Sequence, residues 1–201
     1  MTSFTRQGVL LGLLTLLYPT VTHAQQGVQA PGVVNEADGA RSETGIALRF
    51  MPIGWFDMDD VANRDFRAYP ALGFALFLDH RLHRYFSVGV SPEVTLNVIP
   101  NRSDYSNGRM ATLAARLQAQ YPGRVIEPYA IATGGYSLIW RVGTSRASGP
   151  VVGATLGLRL RFAKQHAVFG ELGYQKGFQR VDGGAYGPSY LITGAGWQVG
   201  F

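Results

Sequence analysis

The chain has 201 residues, no cysteine, and a formal charge of +5 from 18 basic and 13 acidic residues. The missing cysteine excludes a disulfide framework and a thiolate metal site, and so mild a charge without a basic stripe gives no case for nucleic acid. A hydrophobic fraction of 46% and a mean hydropathy of +0.03 are too low for a helical membrane protein. They decide nothing about membrane strands, in which only alternate residues need be apolar.

Residues 1–24 read as a secretory signal peptide, with Arg6 as the positive start, Val9 to Tyr18 as the apolar core and Thr22-His23-Ala24 as the cleavage site. Cleavage there removes one arginine and leaves 17 − 13 = +4. Residues 25–42 are small, polar and turn-prone, and read as a flexible periplasmic segment. From Glu43 to Phe201 the pattern is strands separated by turn residues. Eight segments predict strands: Glu43–Phe56, Tyr69–Asp79, Tyr85–Ile99, Arg109–Tyr121, Tyr129–Trp140, Val151–Phe162, His166–Arg180 and Ser189–Phe201. Each is long enough for the roughly 9–11 residues that a tilted strand needs to cross a bilayer core.

Alternation is clearest in the third, fourth and sixth segments. There Phe86, Val88, Val90, Val94, Leu96 and Val98 oppose Ser87, Gly89, Ser91, Glu93, Thr95 and Asn97. Leu113, Ala115 and Leu117 oppose Thr112, Ala114 and Arg116, and Leu156, Leu158 and Leu160 oppose Gly157, Arg159 and Arg161. A period of two means strand. Connections alternate too. His80–Arg84, Pro122–Pro128 and Ala163–Gln165 are short, whereas Asp57–Ala68, Pro100–Gly108, Arg141–Pro150 and Val181–Pro188 are longer and polar. Short periplasmic turns and longer outer loops are the membrane-barrel arrangement. The prediction is an all-β, closed, eight-stranded antiparallel up-and-down transmembrane barrel over 43–201.

The polar face is rich in Gly, Ala, Ser and Thr, which suits a lumen only wide enough for side chains to fill. The large aliphatics face lipid. Phe86, Tyr121, Phe162 and Phe201 form a girdle at one rim, and Phe56, Trp140 and Phe178 at the other. Of the 18 basic residues only Lys164 and Lys176 are lysines, a scarcity that also points away from a watery outer face. Pro92 on the lipid face predicts a bulge or a gap. Lys176, also on that face, falls near the outer rim, where an ammonium can snorkel to head groups.

Closing the hairpins predicts a lumenal ion network. A turn at 100–109 sets Ile99 beside Met110 and hence Glu93 opposite Arg116. A turn at 164–166 sets Arg159 opposite Glu171. Arg49 and Arg161 add positive charge inside.

The C-terminal strand, Tyr190-Leu-Ile-Thr-Gly-Ala-Gly-Trp-Gln-Val-Gly-Phe201, resembles the ending of the small eight-stranded outer-membrane proteins of the OmpX and OmpA-barrel type. Such barrels end on Phe, here Phe201, with a glycine five residues earlier, here Gly196. Val199 stands where an aromatic is usual. The resemblance implies that this ending is read by the barrel-assembly machinery, with periplasmic chaperones as transient partners and the outer membrane as destination. No peptidoglycan-binding domain follows within the sequence.

No phosphate loop, metal-spaced histidine pair or nucleophile elbow is present, so neither a cofactor nor a catalytic site is predicted. His80 and His83 read as part of a solvated basic turn with Arg81 and Arg84, and His166 lies at the same periplasmic rim. The outer-loop arginines (Arg64, Arg67, Arg102, Arg109, Arg141, Arg146, Arg180) are interleaved with aspartates. They serve either loop solubility or contact with lipopolysaccharide phosphates, for which Arg141, Lys176 and Arg180 are the candidates. The functional expectation is a monomeric barrel with a structural or surface-interaction role. The alternatives are a barrel-embedded lipid A-modifying enzyme and a narrow channel or small-ligand binder.

Overall fold

A computed structural model describes residues 41–58, 66–68, 70–98, 108–123, 125–140, 146–163, 165–181 and 184–201. The expected signal peptide, and the expected linker up to residue 40, lie outside the described residues, as does Arg141. The strands are β1 (Arg41–Met58), β2 (Phe66–Ala68), β3 (Ala71–His83), β4 (Phe86–Leu96), β5 (Arg109–Gln120), β6 (Ile126–Trp140), β7 (Ala147–Arg161), β8 (His166–Gly177), β9 (Gln179–Val181) and β10 (Gly184–Gly200). β2 precedes β3 across Pro70, and β9 continues β8 after Phe178, so the ten strands make eight staves. Each stave pairs antiparallel with its chain neighbours, and β1 pairs with β10 from Glu43↔Gly200 to Met58↔Tyr186, which closes the sheet. The chain forms the predicted closed eight-stranded transmembrane barrel. Closure removes sheet edges, which is what lets strands cross a bilayer without unpaired backbone.

Inside and outside follow from the pleat. In β5, Thr112, Ala114, Arg116, Gln118 and Gln120 are buried, while Leu113, Ala115, Leu117 and Ala119 are exposed. The same inversion runs round the barrel: Leu48, Phe74, Leu138, Leu156 and Leu172 face out although they are large and apolar. Phe86, Tyr121, Phe162 and Phe201 are exposed at the end that holds the termini, and Phe178 at the other. Trp140 is half-buried there, and the side chain of Phe56 lies outside the described part. The outward ring of His166 adds an aromatic column, stacked on Phe162 (centroids 6.1 Å apart) and on Trp197 (5.4 Å).

Several local expectations need correction. β1 begins at Arg41, two residues earlier than the expected strand. The ladder between β4 and β5 ends at Leu96↔Arg109, so Glu93 faces Thr112 and Arg116 faces Gly89. Just beyond that ladder Asn97 has a φ of 64°, and the Val98 N–H still donates to the Gly108 carbonyl at 3.0 Å. Asn is among the few residues that tolerate this region. The same kink swings Val98 to the interior, where it is 0% exposed, instead of the lipid face. The ladder between β7 and β8 ends at Arg161↔Ala167, so Arg159 faces Phe169 and Glu171 faces Gly157. At Pro92, of the two expected outcomes, the gap is found: the ladder between β3 and β4 keeps one register across a break from Ala75↔Glu93 to Leu78↔Val90, and Ser91 Oγ donates to the Leu76 carbonyl at 2.8 Å. The bulge lies instead in β1, between Phe50 and Ile53, around Pro52. It moves the inward phase from Met51 to Gly54.

The turn after β3 is also tighter than expected, because β3 runs to His83 and β4 starts at Phe86. At the opposite end, β9 and β10 run to within residues 182–183 of each other, so much of the expected 181–188 loop is strand. The interior is not uniformly polar. Met51, Val98, Met110, Ile139, Tyr190 and Ile192 belong to an apolar cluster, and Phe77, Tyr129, Ile131 and Phe169 to a second.

Candidate functional site

Among the described residues the interior carries five carboxylates (Glu43, Asp79, Glu93, Glu127, Glu171) and five guanidiniums (Arg49, Arg81, Arg116, Arg159, Arg161), each in an ion pair and together neutral, 5 − 5 = 0. None of these ion-paired side chains is more than 17% exposed. Buried charges persist only when paired in this way.

The pairs fall into three groups. Nearest the termini, Glu43 receives Arg81 Nη2 at 3.0 Å, Arg161 Nη2 at 2.9 Å and Gln198 Nε2 at 2.6 Å. Glu127 beside it receives Arg159 Nη1 at 3.1 Å and Arg161 Nε at 2.6 Å. In the second group Arg116 grips Asp79 through two nitrogens, at 3.0 and 3.3 Å, with its guanidinium 4.6 Å above the Phe77 ring. In the third, Arg49 Nη1 lies 2.5 Å from Glu93 and Nη2 3.7 Å from Glu171. Tyr129 links the groups: its hydroxyl donates to Glu171 at 3.0 Å, and Arg159 lies 5.1 Å from its ring. A cavity of about 10 Å³ borders Arg49, Glu93 and Thr112, room for about one water.

All six residues expected in the network, Arg49, Glu93, Arg116, Arg159, Arg161 and Glu171, point inward, but the partners differ from the expected ones. Glu93 pairs with Arg49, Arg116 with Asp79, and Arg159 with Glu127 and Glu43. Arg81 is not part of a solvated turn; it reaches in to Glu43. Asp79, Glu127 and Glu43 were missed because each stood at or beyond a predicted strand end.

A glycine underlies several of these bonds. Asp79 faces Gly89 on β4, and Gly89 faces Arg116 on β5. Arg49 faces Gly194 on β10, which faces Glu171 on β8. Tyr129 faces Gly157 on β7, which faces Glu171. A Cβ on Gly89 would overlap Asp79, and one on Gly157 would overlap the Tyr129 ring. The side chains therefore join across an intervening strand that is bare at that level. A sequence signal existed: a glycine midway between charged residues of the two flanking strands.

The remaining candidates take no part in the ion network. Gly196 faces inward beneath the Phe169 ring, which a Cβ there would overlap. Val199 pairs with Thr44 and His166 at the barrel seam. Phe201 exchanges backbone hydrogen bonds with Ser42 at 2.9 and 3.1 Å. Lys176 is outward and half-buried, its Nζ 5.5 Å from the Phe178 ring centroid. Arg180 is exposed on β9. Among the described residues, no group of three or more His, Asp or Glu side chains is arranged to hold a metal.

No protein-family model and no curated relative matches the sequence. Solved structures do match. Neisserial surface protein A superposes with a TM-score of 0.54 at 11% identity, over 80% of this chain and 98% of that one. The outer-membrane protein OprG from Pseudomonas aeruginosa superposes with a TM-score of 0.54 at 11% identity, over 81% of this chain and 96% of that one. The fold is that of a small outer-membrane barrel. At such identity the likeness carries the fold alone, and the chain's own residues must carry any role.

Proposed function

We propose that the protein is an integral outer-membrane barrel with a plugged lumen, whose role, structural or interactive, is exercised at its surface. The observation that carries this is the interior itself: ten ionised side chains in mutual pairs, backed by two apolar clusters. A hydrated ion entering would have to separate paired side chains that are themselves out of water. Export and insertion by the barrel-assembly machinery fit the N-terminal signal pattern and the Phe201 ending.

The lipid-enzyme reading has one contact in its favour, between Ser42 Oγ and His80 Nδ1 at 3.1 Å. The two residues are direct cross-strand neighbours on β1 and β3, and the contact is exposed. We read it as an ordinary cross-strand hydrogen bond at the periplasmic rim. The test is conductance in planar bilayers, using protein whose folding is verified by a heat-dependent gel shift. Silent bilayers are expected. Stable unitary current steps from folded protein would overturn the reading.

A further inference from the structure

Every described carboxylate side chain faces the interior, so the described charges on the outward face are cationic. Most of them gather at one edge, at the end that carries the long connections. Arg109 on β5 lies directly opposite Trp140 on β6. The pairing Ile139↔Ala147 brings Arg146 to the other side of the same tryptophan. One strand further, Arg180 on β9 lies opposite Ser148. Arg109, Arg146 and Arg180 are all exposed. With strands about 4.8 Å apart, the three guanidinium stems span roughly 15 Å of rim with an aromatic ring between two of them. Below them Tyr136 Oη meets Ser148 Oγ at 3.1 Å, and Leu138 begins the apolar band.

We propose that this edge binds the phosphorylated disaccharide headgroup of lipid A in the outer leaflet. Arg109, Arg146 and Arg180 take its phosphates, and Trp140 lies against a sugar face. This rests on the outer-membrane reading above and names the partner of that surface. Guanidinium groups bind phosphate through paired N–H donors, and the acyl chains continue down the apolar face at once. A single phosphate could not be met by cations spread this widely, whereas phosphates at both ends of a disaccharide can. No described acid competes on this face. Lys176 lies deeper on the same stave, beside Phe178.

The test titrates bisphosphorylated lipid A, its dephosphorylated form and inorganic phosphate into the folded full-length barrel in non-ionic detergent, following tryptophan fluorescence. Each arginine near the surface contributes about fivefold, so R109Q/R146Q/R180Q should weaken lipid A binding about 100-fold. R84Q, at the opposite rim, should leave it unchanged. Dephosphorylated lipid A should bind wild type no better than phosphorylated lipid A binds the triple variant. Equal affinity of wild type and triple variant, equal affinity for the two lipid forms, or an R84Q loss as large as the triple's would overturn the proposal. Displacement of lipid A by millimolar inorganic phosphate would overturn it in favour of a free-anion site. Fractionation of cells reads the outer-membrane assignment separately, since the titration needs only folded protein.

Discussion

Asp79 and Arg116 offer the cleanest perturbation of the interior, because each is the other's only salt bridge among the described residues. They meet at 3.0 Å, with side chains 1% and 2% exposed. At that distance and an effective dielectric of 20 the attraction is about 5–6 kcal/mol, most of which the desolvation of both ions offsets. Removing one partner leaves the other charge buried, at about 3–5 kcal/mol. Arg116→Gln and Asp79→Asn should each fall in that range. The double variant should return to within about 1 kcal/mol of wild type, since an intact buried pair contributes little net stability. Reversible urea unfolding in phospholipid vesicles, followed by the fluorescence of the three tryptophans, measures all four corners of the cycle. A double variant as unstable as the sum of the singles, or either single variant within about 1 kcal/mol of wild type, would refute the reasoning.

Deleting Phe201 removes two backbone hydrogen bonds to Ser42 at the seam, so its cost to an inserted barrel should be small, about 1–3 kcal/mol. The amount of folded protein recovered from cells should fall far more, and equal yields would refute a role for this ending in assembly. Lys176→Leu should change folding free energy by no more than about 1 kcal/mol, the value for a charge near the interface; a gain of about 2–4 would place Lys176 deep in lipid.

The staves and their faces were legible because a membrane barrel enforces a period of two over a dozen residues, and lipid punishes any polar side chain out of phase. Departures came where the backbone left the β region. Val98 sits on the apolar phase of its segment, and only the φ of Asn97 turns it inward. Pro52 shifts the phase of β1 in a segment whose composition looks continuous. Registers were legible only as well as turn lengths, and a hairpin that closes earlier moves every partner. Part of the ion network was hidden for a different reason: pairs were sought between adjacent staves, whereas Arg49–Glu93, Arg116–Asp79 and Arg161–Glu43 each reach past at least one. Arg161 and Glu43 are 118 residues apart in sequence, a proximity that no local pattern encodes.

The glycine bridges bear on the order in which the barrel assembles. Asp79 belongs to β3 and Arg116 to β5, with Gly89 of β4 between them, so a lone hairpin holds only one half of the bond. The Arg49–Glu171 contact needs β8, β10 and β1 together, and hence forms only once the first and last strands have met. The pairs of Glu127 with Arg159 and Arg161, and of Arg81 with Glu43, lie between chain neighbours, but the charges that join across glycines give little reward to a two-stranded intermediate, native or slipped. The ionic ties then act as a latch that engages on completion, one that resists reopening while doing little to hasten closure.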